Sequence, residues 1–239
     1  MQYVVAAINK WNHEIFHKET KKFIGNWFLV SNPEELTLDY LRSIKPRYIF
    51  FPHWSYIIPA VIYEEFECII FHMTDVPFGR GGSPLQNLIA RGIYETKLTA
   101  LRCVEKLDAG PVYIKQALSL HGNAEEIYIR AGMLTWKMIR WIIKNEPAPV
   151  EQYGTPVYFP RRKPADGNLN NVKSLQGVYD FIRMLDAEGY PLSFLESGRF
   201  RMEFSRASLK QGCVVAEVKI TIKEEHNDSK QSSSSSRPS

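Results

Sequence analysis

The stretch from Ile69 to Gln86, IIFHMTDVPFGRGGSPLQ, holds the sharpest change of character in this chain. An apolar run ends in His72, and a loop rich in proline and glycine follows at once. Cys68 to Phe71 (CIIF) reads as a short strand buried on both faces, the habit of parallel sheets. A histidine leaving such a strand stands at the edge where α/β proteins hold their ligands. Three earlier runs read the same way: residues 3–8 (YVVAAI), Trp27 to Val30 (WFLV) and Tyr48 to Phe51 (YIFF). Between them, 11–22 reads as a polar helix, and Asn32-Pro33-Glu34-Glu35 starts another with Pro33 near its first turn. Strands alternating with helices predict an α/β fold with a mostly parallel sheet and flanking helices. Pro52-His53-Trp54-Ser55 leaves its strand at the same edge as His72.

Further along, 84–94 reads as a helix, 98–104 and 112–118 as strands, and 124–144 as a long helix. Trp136, Met138, Ile139, Trp141 and Ile142 on that helix are packing residues at helical spacing. Pro147, Pro149, Pro156, Pro160 and Pro164 punctuate a crossing linker over 146–170. An amphipathic helix over 174–189 and alternating segments at 199–205 and 213–222 then predict a small C-terminal antiparallel appendage. The expected division is a catalytic domain over 1–150, a linker and small domain over 151–222, and a disordered, serine-rich tail over 223–239.

A formal charge of +4 suits an anionic small substrate better than a nucleic acid, whose dedicated binders concentrate far more basic charge. Three scattered cysteines, Cys68, Cys103 and Cys213, read as reduced thiols rather than a disulfide framework or a zinc site. The opening residues do not form a signal peptide, and no apolar run reaches membrane length. A cytoplasmic protein with no membrane partner is expected. The C-terminal antiparallel piece is a candidate for a homodimer contact.

Two motifs compete for the chemistry. His13-Glu14-Ile15-Phe16-His17 fits the HExxH zinc pattern, but Lys18, Lys21 and Lys22 mark a solvated helix face and no third ligand follows. Gly79-Arg80-Gly81-Gly82 matches neither a phosphate loop nor a dinucleotide fingerprint, and reads as a turn that admits a ligand close to backbone. Against these stands His72, with Asp108 in the tight turn Glu105-Lys106-Leu107-Asp108-Ala109-Gly110 after another strand. Alone, an aspartate there is a turn former. Together the two suggest a pair in which a carboxylate orients an imidazole and favours its charged form.

His72 with Pro77 and Arg80-Gly81, then Thr96 and Thr99, then Leu107-Asp108-Ala109-Gly110, resembles the folate-dependent formyltransferases over about residues 1–150. The resemblance implies a Rossmann-like sheet and transfer of the formyl group of N10-formyltetrahydrofolate to an amine, with no metal. It assigns His72 to base or oxyanion partner and Asp108 to its orienter and proton relay. It places Thr74, Asp75, Val76 and Pro77 in the stretch that contacts folate, and Trp54 either beside the pteridine or in the core. The stretch Tyr158 to Gly167 is more similar to the nucleotide-sugar N-formyltransferases, such as that of pseudaminic acid biosynthesis. A UDP-linked 4-amino-4,6-dideoxy sugar is therefore the expected acceptor, and no nucleic-acid partner is expected. Arg161, Arg162 and Lys163 are then candidates for the diphosphate, with Arg80 as a second anion site. Two other readings stay open: formylation of methionyl-tRNA or another carrier-bound amine, and a non-catalytic folate or nucleotide-sugar binder. One departure stands out. The family pattern is Asn-x-His, and two residues before His72 stands Ile70, which has no polar group. Protonated His72, His53 or a bound water are the candidate replacements.

Overall fold

The computed structural model describes residues 1–223. Apolar runs buried on both faces become its central strands, in the order β1 (Gln2–Ala6), β2 (Asn26–Val30), β3 (Tyr48–Pro52) and β4 (Cys68–His72). These pair in parallel as β2-β1-β3-β4. Two longer strands follow the short β5 (Phe78–Gly81): β6 (Glu95–Arg102) runs antiparallel to β4, and β7 (Val112–Ser119) antiparallel to β6, completing six strands. The mixed, mostly parallel α/β sheet expected from the alternation is the one observed.

Helices cover both faces of this sheet. On one side lie α1 (Lys10–Glu19) and, later in the chain, the long helix over Ala124–Asn145; on the other lie α2 (Leu38–Ile44) and α3 (Ala60–Tyr63). Between the two later helices in sequence comes α4 (Pro84–Ile89), so the long helix is α5. It starts on a reciprocal cap in which the Asn123 side chain accepts the Glu126 N–H and the Glu126 carboxylate accepts the Asn123 N–H. Alternation along β4 divides the core. Ile69 and Phe71 face the α1/α5 side, and Cys68 and Ile70 face the α2/α3 side.

The 146–170 stretch is more structured than a linker. Val157–Phe159 forms β8, which pairs in parallel with β5. No local pattern announces two three- or four-residue strands that meet from opposite ends of the domain. The helix expected over 174–189 is α6 (Leu175–Arg183) and ends early. A third strand, β9 (Ser193–Ser197), joins β10 (Phe200–Lys210) and β11 (Cys213–Ile222) in an antiparallel sheet of order β11-β10-β9. Of the tail expected over 223–239, all but Lys223 lies outside the described residues. No described helix is long and apolar enough to cross a membrane.

Candidate active site

His72 is the last residue of β4, and the two-residue period of the strand aims it to the same side as Ile70. It is 8% exposed. Its Nε2 lies 2.7 Å from the Gly79 carbonyl oxygen. A carbonyl only accepts, so Nε2 carries the proton and Nδ1 holds the lone pair of the neutral ring. Nδ1 faces Asp108 Oδ1 at 3.6 Å.

Asp108 stands in the turn between β6 and β7 with φ +51°, in the left-handed region that aspartate tolerates better than most residues. The glycine that ends this LDAG turn is sterically required, because a Cβ on Gly110 would run into the Arg102 carbonyl. The second carboxylate oxygen of Asp108 accepts the Gly81 N–H at 2.9 Å. Gly81 has φ +108°, and a Cβ there would meet the Phe159 carbonyl of β8 at 2.5 Å. The glycine loop after His72 therefore serves as the backbone cradle of both side chains, offering a carbonyl to one and an N–H to the other.

Gln152, which sequence reasoning missed, locks this turn together with Arg80. Gln152 Nε2 donates to the carbonyls of Asp108 and Gly110, each at 2.8 Å, while its Oε1 accepts from Arg80 Nε and Nη2 at 3.1 and 2.7 Å. Arg80, 7% exposed, also donates to the Tyr158 hydroxyl at 3.4 Å and thereby holds that phenol below its ordinary pKa. Among the described residues Arg80 has no carboxylate partner. Nothing in the local sequence around Gln152 points to this role.

Beside His72 and Asp108 opens an apolar cleft of about 410 Å³, walled by Trp54, Tyr56, Ile58, Ile70, Val104 and Leu107. That volume lies within the roughly 300–1,000 Å³ usual for small-molecule sites. Trp54 stacks its edges against Phe51 and Tyr56, each with centroids 5.7 Å apart, and its indole N–H is buried with no acceptor. Flat aromatic walls fit a flat heteroaromatic ring such as a pterin. Cys103 shares this wall, and burial, aided by the Asp108 charge, pushes its thiol up to about 11. A wider polar groove of about 640 Å³ lies next to it, lined by Arg47, Glu64, Glu67 and Arg102, and does not reach His72.

The other sequence candidates are placed as follows. Thr74 and Val76 are fully buried, and with Asp75 and Pro77 they form the turn behind His72 rather than the cleft wall. Asp75 is bonded to Lys115 at 2.6 Å and Lys97 at 2.9 Å; burial works against its charge, yet the two ammonium groups hold its carboxyl below the ordinary range. Arg161, Arg162 and Lys163 follow β8 outside the cleft. Arg162 donates to the Asp166 carbonyl and lies 5.3 Å from the Phe181 ring. His53 is removed as an oxyanion donor. Its ring packs on Tyr128 of α5 and Trp11 of α1, with Nε2 at 2.8 Å from the Tyr190 hydroxyl, on the opposite side of the sheet from His72. In the HExxH segment, His13 Nε2 is bound to the Ala7 carbonyl at 2.6 Å, and Glu14 and His17 are exposed.

An α/β sheet whose edge carries an imidazole–carboxylate pair beside an apolar cleft can hold a small organic molecule against a general acid–base pair. The comparisons with known proteins make this specific. A methionyl-tRNA formyltransferase from Clostridium thermocellum is 44% identical, with a TM-score of 0.91 over 93% of this chain and 100% of that one. Residues 164–221 match the family model of the methionyl-tRNA formyltransferase C-terminal domain. The chain belongs to the formyltransferase family. A curated methionyl-tRNA formyltransferase from Thermodesulfovibrio yellowstonii is 26% identical over 170 residues, 68% of this chain and 55% of that protein. The chain thus spans about half the length of the curated relatives it matches. The nucleotide-sugar formyltransferase PseJ from Anoxybacillus kamchatkensis, solved with a UDP-linked formamido sugar and tetrahydrofolate, is 15% identical with a TM-score of 0.55, over 66% of this chain and 85% of that one. That likeness shows the fold alone. The expectations of a nucleotide-sugar acceptor and of no nucleic-acid partner are therefore corrected: the relatives with substantial identity carry the methionyl-tRNA name. The stretch Tyr158–Gly167, which suggested the sugar enzymes, comprises β8 residues paired with β5, the basic run Arg161-Arg162-Lys163 and a short helical turn over Pro164–Gly167.

Proposed function

We propose that the chain transfers the formyl group of N10-formyltetrahydrofolate to the amine of methionyl-tRNA. The observation that carries this reading is the 44% identity to a methionyl-tRNA formyltransferase across nearly the whole of both chains, joined to the position of His72 and Asp108 at the mouth of the aromatic cleft. When bound, the folate supplies an activated formyl carbon. Trp54, Tyr56 and Ile58 hold its ring system and exclude water.

Attack by a neutral amine forms the new C–N bond and leaves an ammonium that must lose a proton, and an equivalent proton must reach N10 as the formyl C–N10 bond breaks and tetrahydrofolate departs. His72 receives the ammonium proton at Nδ1, the nitrogen whose lone pair is free, and the resulting imidazolium keeps one N–H on the Gly79 carbonyl and turns the other toward Asp108. Asp108 is fixed by Gly81 on its far side and balances that charge in place. Donors aimed at a developing oxyanion are worth roughly 3–4 kcal/mol. Ile70 supplies none, His53 faces elsewhere, and both N–H groups of protonated His72 are already committed to Gly79 and Asp108, so a water at the cleft mouth takes that part. Arg80, Arg161, Arg162 and Lys163 supply positive charge beside β5 and β8 for a phosphodiester acceptor.

The test incubates purified protein with N10-formyltetrahydrofolate and methionyl-tRNA, uncharged tRNA or free methionine. Tetrahydrofolate release with methionyl-tRNA alone is expected. No release with methionyl-tRNA at saturating folate rejects the reading.

A further inference from the structure

The C-terminal sheet ends on an open edge. Among the described residues β11 pairs only with β10, while β10 is flanked by β9 on its other side. The Lys223 N–H donates to the Arg199 carbonyl at 2.9 Å. In an antiparallel ladder every second residue bonds to the same neighbour. Odd-numbered residues of β11 therefore bond to β10, and the even-numbered Val214, Ala216, Val218, Ile220 and Ile222 present N–H and C=O groups outward. The same even-numbered set is wholly apolar in side chain. Val218 is 49% exposed, and Ile220 and Ile222 are each 59% exposed, beside Phe200 on β10. A ten-residue edge of unpaired backbone with an apolar face is a surface that soluble proteins ordinarily cover or break up with charge.

The odd-numbered face carries the charge, Glu217 and Lys219, one residue to either side of Val218. This spacing is self-complementary. If two copies pair antiparallel about a two-fold axis through Val218, Glu217 of one lies directly opposite Lys219 of the other, twice. On the other face Val218 meets Val218, Ile220 meets Ala216 and Ile222 meets Val214. A slip of one strand by two residues in either direction, the nearest register that keeps the same outward backbone groups paired, sets Glu217 on Glu217 or Lys219 on Lys219, and like charges directly opposed are destabilising. Glu217 also has an ion pair at 3.1 Å with Arg206, and Lys219 stands opposite Glu203 on β10; both contacts lie on the β10 side and leave the outward edge free.

We propose that β11 is the interface through which two copies of this chain associate, continuing the three-stranded sheet into a six-stranded one in the register centred on Val218. The proposal is independent of the acceptor assigned above. A single strand pair is a small contact by the standards of stable complexes, so the dimer is one seen at tens of micromolar rather than at nanomolar concentration.

Sedimentation equilibrium of the full chain tests it. The unaltered protein is expected to dimerise. Val218→Arg, an exposed position, abolishes association while leaving the melting curve in place. Glu217→Lys and Lys219→Glu, made singly, each weaken association about tenfold, because two attractive pairs become two repulsive ones. The double exchange Glu217→Lys with Lys219→Glu restores it. A monomer at all concentrations, which is also the result if residues 224–239 of the same chain occupy the edge, overturns the proposal. So does a dimer indifferent to Val218→Arg, and a double exchange that dimerises no better than the singles refutes the register.

Discussion

His72 and Asp108 meet at 3.6 Å, yet neither is held mainly by the other. The imidazole is anchored through Nε2 to the Gly79 carbonyl, and the carboxylate through Oδ2 to the Gly81 N–H, two residues apart on β5. The space between Nδ1 and Oδ1 is thus set by the backbone of the glycine loop, and it is where a transferred proton is stabilised. This separates the charge of Asp108 from its role as a structural acceptor. Asp108→Asn keeps the size and an oxygen for Gly81 and loses only the charge. The expected result is a drop in single-turnover formyl transfer of about 10²–10⁴-fold, the range of a lost acid–base partner, with little change in melting temperature. Asp108→Ala strands the Gly81 N–H as well and costs an additional ~1–3 kcal/mol of stability in denaturant titration.

Gln152 yields a second prediction. Its amide closes the Asp108 turn with two donated bonds and takes two from Arg80. Gln152→Glu keeps the acceptor side and gives Arg80 a charged partner, but removes both donors to the turn. The Glu variant should therefore remain folded while losing rate, with kcat falling more than KM rises. Gln152→Ala should lose both rate and stability, because buried Arg80 is left short of acceptors. Equal kinetics for the parent and the Glu variant would show that the turn needs no clamp.

The sheet and the His–Asp pair were legible because their signals are local. Cys68–Phe71 is a four-residue apolar run, and a histidine at its end lies at the ligand edge of any α/β sheet. The LDAG turn announces itself by its aspartate and glycine. The β5–β8 pairing, Gln152 and the cleft wall were not legible. Phe78–Gly81 and Val157–Phe159 are too short for a period and meet across some eighty positions of chain. Tyr56, Ile58, Val104 and Leu107 look like ordinary core or surface residues until the fold sets them around one void. His53 misled for the opposite reason: it shares a sheet edge and a register with His72, but it follows the end of β3 with a left-handed φ of +52°, which turns its ring to the other face.

Ile70 gives a third prediction. It shares its side of β4 with His72 and lines the cleft, where the family pattern has asparagine. If the oxyanion is stabilised only by water, Ile70→Asn adds a donor at that wall and should raise kcat by about 10-fold or more. Ile70→Val, which keeps the wall apolar, should leave kcat unchanged and shift only folate affinity. A slower Asn variant with unaltered folate affinity would mean that another group already fills the oxyanion position.

His53 supports a prediction about pH and stability that does not involve the chemistry. Burial pushes its imidazole down to about 4 from the ordinary 6.5. The unfolded chain therefore takes up a proton as pH falls through 6.5, whereas the native protein refuses it until about 4. The stability this residue lends to the fold is complete above pH 6.5 and is lost progressively as pH falls from 6.5 toward 4. A gap of that size corresponds to about 3 kcal/mol at its full extent. Glu67, whose charge is opposed by burial but held by Tyr113 and Arg47 so that its carboxyl lies below the usual range, lends stability that is lost only in more acid solution, below about 4.5. The two windows overlap only between about pH 4.5 and 4. Asparagine tolerates the left-handed φ of +52° at this position and does not titrate. Urea titrations of the parent should lose stability between pH 6.5 and 4.5, and those of His53→Asn should be flat there while still falling below 4.5. Parallel curves for the two proteins would show that His53 is protonated in the native state despite its packing against Trp11 and Tyr128.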